Sequence, residues 1–192
     1  SISDSSTYTF MAAKTMADTF EGNTDGCHLY SRHTTPSNLC LGEALAAMEG
    51  TETANVSASG MGAITPVLLQ LCGAGDHIVS SRTIYGGTYA FLKNFTPRLA
   101  IQTSFVDITN LEIVEASITE NTKVLYCESV SNPLLEVADI RGLAALAKKY
   151  MLTLVVDNTF SPLSISINAY QWVAAYKNFH RMIVDSLICI TT

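Results

Sequence analysis

From residue 37 onward, apolar runs that lack strict alternation are interleaved with segments of helical periodicity. Five runs predict strands, and in chain order they read TANVSAS, HIVSS, AIQTSFVD, KVLYCES and LTLVVDN. The segments between them predict helices, the clearest being VADIRGLAALAKKY, which carries Lys148 and Lys149 near its C-terminal end. This pattern is typical of an α/β fold, in which a mostly parallel sheet has helices on both faces.

The two ends of the chain depart from this alternation. Residues 1–36 are polar and irregular, and we interpret them as an extended arm outside the core. Residues 37–166 carry the α/β pattern and form the main domain. Residues 167–192 form a tail of different character, with a predicted helix and then an apolar, strand-like run from Met182 to Ile190.

Composition and charge exclude several classes of protein. The 192 residues are 48% hydrophobic and 15% charged, which is typical of a globular chain rather than a disordered one. The net charge of −6 and the lack of a basic run argue against a nucleic-acid partner. Five scattered cysteines without a CxxC pair predict free thiols in a reducing compartment and no zinc site. We expect a cytoplasmic protein with no membrane partner and no bound metal.

The first predicted strand ends in a segment suited to an anion. In parallel α/β sheets, ligands bind at the C-terminal ends of the strands. Ser59, Gly60, Met61 and Gly62 stand there, at the start of a predicted helix, where backbone N–H groups suit a phosphate. An ordinary turn between strand and helix is the alternative. The segment is not a dinucleotide fingerprint, because Thr65 occupies the position of the third glycine.

Three further strand ends carry an aromatic, an amide and an acid. Tyr85 stands beside two glycines, where its ring could stack on a planar ligand or pack half-buried. Asn132 could bind a ligand or form a local turn before Pro133. Asp157 ends a buried strand and needs a cation or hydrogen-bond donors. Together these features favour pyridoxal 5'-phosphate (PLP), a flat, phosphorylated ligand whose protonated ring nitrogen would pair with Asp157.

Several motifs in order resemble the Cys/Met-metabolism family of PLP-dependent enzymes, and in particular its gamma-lyase branch. They are LYSRHTTPS, EGTETANVSASGMGAI, YGGTYAFL, ESVSNP, ADI and VVDNTFSP. The resemblance implies an aspartate-aminotransferase-like large domain, known as PLP fold type I. It also implies a carbon–sulfur lyase that acts on a sulfur-containing amino acid by α,γ- or α,β-elimination.

The resemblance assigns roles to most of the strand-end residues. Gly60 and Met61 would hold the cofactor phosphate through their backbone amides. Tyr85 would stack on the pyridine ring, and it is also the one candidate catalytic residue. Asn132 would approach the ring hydroxyl group.

The remaining implied roles concern the acid and the arm. Asp157 would pair with the pyridine nitrogen, and Thr159 would lie beside it. Tyr30 and Arg32 would reach into the site of a neighbouring subunit and grip its phosphate, for which the planar guanidinium is suited. The resemblance therefore implies a homo-oligomer, either a dimer or a tetramer.

One part of the family pattern does not match this chain. The resemblance implies a Schiff-base lysine about 25 residues after Asp157, in a His-Ser-x-Ser/Thr-Lys motif that is not found here. Lys177 is the only lysine after Asp157, and its flanks do not match. We therefore expect the N-terminal portion of a lyase-like chain, inactive alone unless Lys177 substitutes. The alternative is a non-catalytic fragment that oligomerises or pairs with a full-length relative.

Overall fold

Within the residues that the structure describes, seven strands form one sheet. The computed structural model describes residues 5–10, 12–23, 27–49, 51, 53–160, 182–185 and 188–191. The strands are β1 (Thr53–Val56), β2 (His77–Ser81), β3 (Gln102–Val106), β4 (Thr122–Glu128), β5 (Thr153–Asp157), β6 (Met182–Asp185) and β7 (Ile188–Thr191). Their order in the sheet is β1-β7-β6-β5-β4-β2-β3.

The sheet is parallel except at one side. Strands β2 to β6 are parallel to one another, whereas β7 pairs antiparallel with both β1 and β6. The apolar run from Met182 to Ile190 is therefore an antiparallel pair of strands and not one continuous strand. The helix expected before it and Lys177 lie outside the described residues.

Six α-helices accompany the sheet in the described part of the chain. They are α1 (Ala13–Phe20), α2 (Pro36–Glu49), α3 (Gly60–Leu71), α4 (Gly86–Ala90), α5 (Leu111–Ala116) and α6 (Ile140–Lys149). Helix α4 continues into a π-helical turn over Phe91–Phe95 and a 3₁₀ turn over Thr96–Leu99. Helix α2 begins at Pro36, and the division of the chain into arm, main domain and tail stays a prediction.

Helix α1 corrects the expectation that residues 1–36 are extended. Its sequence, AKTMADTF, contains good helix formers (alanine, lysine and methionine), which favour a helix locally. Phe20, which ends the helix, is 67% exposed. Among the other described residues of the arm, Thr7 and Tyr30 form an antiparallel bridge.

The core lies on both faces of the sheet, as the sequence predicted. Val124 and Tyr126 of β4 belong to the cluster that includes α3, whereas Leu125 and Cys127 belong to the cluster that includes α6. Successive side chains of a strand point to opposite faces. Since both faces of β4 are buried, its central residues, 124–127, are all apolar and do not alternate.

Buried hydrogen bonds surround His77 at the beginning of β2. Its Nδ1 lies 2.8 Å from Thr122 Oγ1, and its Nε2 lies 2.9 Å from Ser104 Oγ. The Thr119 amide donates to the same Thr122 oxygen at 2.8 Å. Burial lowers the pKa of His77 below its usual 6.5, so the folded protein favours the neutral ring.

This environment predicts a loss of stability in mild acid. Because the pKa of His77 is lower in the folded chain, the unfolded chain binds the proton more readily below pH 6.5. The free energy of unfolding should therefore fall between pH 7 and pH 5, and His77→Gln should reduce that fall. Urea unfolding at both pH values measures the free energy of unfolding. The control is His33→Gln, which makes the same change at an exposed histidine. An identical pH dependence in wild type and His77→Gln would contradict the prediction.

Candidate functional site

The ends of four strands and the segments that follow them enclose a cavity of about 400 Å³. It lies at the C-terminal edge of the parallel strands, where ligands of α/β folds bind. The lining residues are Ser59, Gly60, Met61, Ile64, Tyr85, Glu128, Val130, Asn132, Asp157, Thr159 and Phe160. The structure thus brings together every predicted site residue from Gly60 to Thr159. Their role in holding a cofactor stays a prediction.

The N-terminus of α3 forms the polar wall after β1. The Ser59 side chain caps the helix by accepting a hydrogen bond from the Gly62 amide at 3.0 Å. The amides of Gly60 and Met61, in the first turn, have no acceptor within the helix. Together with the positive end of the helix dipole, these two amides give the cavity a place for an anion.

Asp157 places a carboxylate in the cavity at the end of β5. It is only 5% exposed. Its Oδ1 accepts hydrogen bonds from the Thr159 amide at 3.1 Å and from the Thr159 hydroxyl at 2.6 Å. These bonds fix the orientation of the carboxylate at the end of β5.

The Tyr126 hydroxyl binds the other carboxylate oxygen of Asp157. It donates to Asp157 Oδ2 at 3.4 Å and also forms a hydrogen bond with the Thr88 side chain. Tyr126 is fully buried, and burial, with the nearby charge of Asp157, raises its pKa well above its usual value of 10. The phenol therefore stays protonated and remains a donor. Sequence reasoning assigned Tyr126 no role, because it reads as an ordinary core residue of β4.

Glu128 is a second buried carboxylate at the cavity, and the sequence placed it at a strand end without a role. Oε1 accepts a hydrogen bond from the Tyr85 amide at 2.5 Å, and Oε2 accepts one from the Asn132 amide at 2.8 Å. Burial raises the pKa of Glu128, and the charge of Asp157 adds to this, while the two amide donors oppose it. The glutamate thus connects the turn after β2 to the turn after β4.

Tyr85 presents its ring at the mouth of the cavity, with 48% of the residue exposed. The ring lies over Gly87, where an added Cβ would stand only 2.5 Å from the Cε1 atom of Tyr85. The same addition at Gly86 would meet nothing within 4 Å. Gly87 therefore leaves the space that the Tyr85 ring occupies.

Apolar side chains complete the cavity, and the sequence did not indicate them. Ile64 and Val130 line it beside the polar groups, and Phe160, 56% exposed, stands at its rim. A helical apolar position such as Ile64 gives the same sequence signal whether it faces a core or a cavity. These residues could be found only from the three-dimensional arrangement.

The two arm residues of the predicted site lie apart from the cavity. Tyr30 and Arg32 are exposed and are not among its lining residues. The Arg32 guanidinium lies 5.2 Å from the centre of the Tyr30 ring, which is a cation–π arrangement. Within this chain they do not join the other site residues, and their contact with a neighbouring subunit stays a prediction.

Other binding features are not found in the part of the chain that the structure describes. No group of three or more His, Cys, Asp or Glu side chains is arranged for a metal ion there. No helix among the same residues is long and apolar enough to cross a membrane. Cys27, Cys40, Cys72 and Cys127 are free thiols.

The fold and the cavity define an α/β protein with a ligand site at the strand ends, built from a helix N-terminus, a buried carboxylate and an aromatic ring. A family model described as "Cys/Met metabolism PLP-dependent enzyme" matches residues 1–169. The chain belongs to this family. The resemblance read from the sequence motifs is thereby confirmed.

Individual relatives agree with this assignment. The chain is 48% identical to methionine gamma-lyase of Arabidopsis thaliana, in an alignment that covers 86% of this chain and 39% of the relative. It is 41% identical to cystathionine gamma-lyase of Bacillus subtilis, with 83% of this chain and 44% of the relative covered. The chain thus spans less than half the length of these relatives.

Solved structures of related enzymes share the fold. An O-acetylhomoserine (thiol)-lyase structure from Campylobacter jejuni, which contains a pyridoxyl-lysine monophosphate, has a TM-score of 0.85 and 27% identity. That match covers 97% of this chain and 47% of the other. Cystathionine gamma-lyase of Lactobacillus plantarum has a TM-score of 0.80 and 26% identity, over 98% of this chain and 48% of the other. The predicted fold class, an incomplete aspartate-aminotransferase-like large domain, is confirmed.

Proposed function

We propose that this chain is the PLP-binding part of a carbon–sulfur lyase of sulfur amino acid metabolism, of the methionine gamma-lyase type. The observation that carries the proposal is the buried Asp157 carboxylate, held by Thr159 in the cavity at the strand ends. A carboxylate at this place in the cavity suits the protonated ring nitrogen of PLP as its partner.

The other cavity residues fit the same cofactor. The amides of Gly60 and Met61 suit its phosphate, and the Tyr85 ring suits its flat face. Asn132 offers an amide for the ring hydroxyl. The volume of about 400 Å³ is within the usual range for small-molecule sites.

The cofactor and the protein side chains would make different contributions to the reaction. Bound PLP supplies an electron sink for carbanion formation next to the amino group. Asp157 would keep the pyridine nitrogen protonated, while Thr159 and Tyr126 hold the two carboxylate oxygens in place. The names of the relatives favour methionine or cystathionine as the type of substrate, in other words a sulfur-containing amino acid.

The exposed arm favours a homo-oligomer or pairing with a full-length relative. Tyr30 and Arg32 stand outside the cavity of their own chain, where they could grip the phosphate of a neighbouring copy. Apolar side chains also stand in solvent, with Leu134 63% and Val137 70% exposed, which favours association. These exposed groups support the second candidate function, a non-catalytic fragment that oligomerises.

The free thiols favour the cytoplasm.

A titration of the purified 192-residue chain with PLP tests the proposal. Saturable binding is the expected result. Borohydride reduction and peptide mass mapping of the PLP-treated chain then locate any covalent adduct. A reduced adduct at Lys177 would mean that the chain supplies its own Schiff-base lysine. Binding without an adduct would support the cofactor site and leave the lysine to a partner. No binding, with oligomers in sedimentation runs, would overturn the proposal in favour of the non-catalytic fragment.

Gly87→Ala should weaken PLP binding by displacing the Tyr85 ring. The new methyl group would stand 2.5 Å from a ring carbon, so the exposed ring must move. We expect a roughly 3- to 10-fold lower affinity, since an aromatic stacking contact is worth about 0.5–1.5 kcal/mol. Gly86→Ala lies in the same helix, meets no neighbour and should leave the affinity unchanged. Equal affinities of the two variants would show that the position of the ring does not matter.

A further inference from the structure

The Glu128 carboxylate joins two loops that are distant in sequence and adjacent at the cavity. We propose that Glu128 is a positioning residue, whose two oxygens fix the Tyr85 turn against the Asn132 turn so that both face one ligand. The inference rests on the proposed function, since PLP is the ligand that both turns would contact. It adds a residue to which neither the sequence motifs nor the relatives assign a role.

The geometry makes Glu128 a bridge between neighbouring strands. Strands β2 and β4 are parallel neighbours, and the two turns leave them at the same edge. Glu128 reaches across to the Tyr85 amide, 43 residues away, with Oε1, and to the nearby Asn132 amide with Oε2. The Ser129 amide, which follows Glu128 directly, donates to the Asp157 carbonyl oxygen at 2.9 Å. This bond ties the turn after β4 to β5.

Only a carboxylate can make this bridge. Both partners are backbone N–H donors, so the bridging group must accept at two oxygens. A glutamine would accept at one oxygen and present its own NH₂ donors to the other amide. Each oxygen of Glu128 accepts from one of the two amides, which fits a role in holding the loops.

The energetic cost of burying the Glu128 carboxylate also indicates a positioning role. Glu128 is 5% exposed, and none of the ion pairs found among the described residues involves it. A desolvated carboxylate held only by amides adds little to global stability compared with an apolar residue. Its benefit is local, because it sets the distance between an aromatic and an amide that line one cavity.

Hydrogen exchange in the PLP-free chain tests the bridge directly. In Glu128→Gln, we expect the Tyr85 amide, the Asn132 amide or both to exchange at least tenfold faster than in wild type. Glu128→Asp keeps the charge but is one methylene shorter, so it should protect one of the two amides. Glu115→Gln is the matched control, because that carboxylate binds Lys149 outside the cavity and should leave both amides unchanged.

A PLP titration of the same variants links the bridge to the ligand. The affinity should fall at least tenfold in Glu128→Gln and by less in Glu128→Asp. Unchanged exchange of both amides in Glu128→Gln would overturn the proposal. So would faster exchange throughout β2 and β4, which would indicate general destabilisation. If wild type does not bind PLP, the proposed function fails, while the exchange rates still decide whether Glu128 holds the two turns.

Discussion

Asp157→Asn is expected to lower the affinity for PLP by at least about 30-fold, corresponding to a loss of about 2–5 kcal/mol for one partner of a buried charge pair. Asparagine has the same shape, and its side-chain oxygen can still accept the hydrogen bonds from Thr159. The variant removes the negative charge and replaces Oδ2, the acceptor for the Tyr126 hydroxyl, with an NH₂ donor. Equilibrium dialysis or the absorbance of bound PLP would measure the effect.

The matched control is Asp107→Asn, which makes the same change at an acid paired with Arg82 at 2.8 Å. Asp107 does not line the cavity, so the PLP affinity should stay at the wild-type value. Thermal unfolding of both variants checks that they remain folded. Wild-type affinity in Asp157→Asn would mean that the ring nitrogen is not held by this acid. Equal losses in both variants would indicate a nonspecific effect of net charge.

The parts of the site that could be predicted from the sequence are those carried by a single strand end. The buried run TLVV followed by Asp157 predicted an acid at the edge of the sheet, and the structure has β5 ending at that residue. The strand HIVSS was likewise predicted with the bounds that β2 has. In both cases the apolar run and the polar residue that ends it are adjacent in the chain, so a local pattern contains the information.

The parts that could not be predicted depend on pairing across the fold. The partner of Glu128 is a backbone amide 43 residues away, and an amide has no residue type by which a sequence can mark it. Tyr126 reads as a core aromatic until the fold sets its hydroxyl beside Asp157. Strands β6 and β7 pair antiparallel, yet the residues that separate them in the sequence include no glycine of the kind common in hairpins, so the apolar run did not indicate two strands.

The N-terminal arm, residues 1–36, differs from its prediction for another reason. Helix α1 (Ala13–Phe20) comes from local propensity in a segment whose polar residues suggested an irregular arm. Tyr30 and Arg32 lie outside the cavity of their own chain, and their contact with a second copy stays a prediction. That prediction comes from a motif shared with a family and not from the geometry of one chain.

Leu143→Ala is expected to lower the free energy of unfolding by about 2–5 kcal/mol, because it removes three buried carbons and leaves a cavity. Leu143 is fully buried in α6, in the cluster that also contains Leu125 and Val156 of the sheet. For a domain with a total stability of about 5–15 kcal/mol, this is a large fraction. Urea unfolding measures it, with a constant m-value showing that the folded state is otherwise unchanged.

The control for this variant is Leu69→Ala in α3, where the same side chain is 39% exposed. Both positions are helical, so the change in helix propensity is the same, and only the burial differs. We expect a loss of less than about 1 kcal/mol at Leu69, since surface substitutions have small effects. Similar losses at the two positions would mean that α6 does not pack on the sheet as the structure shows. A large loss at Leu143 alone would agree with the burial of this side chain between α6 and the sheet, as the structure shows.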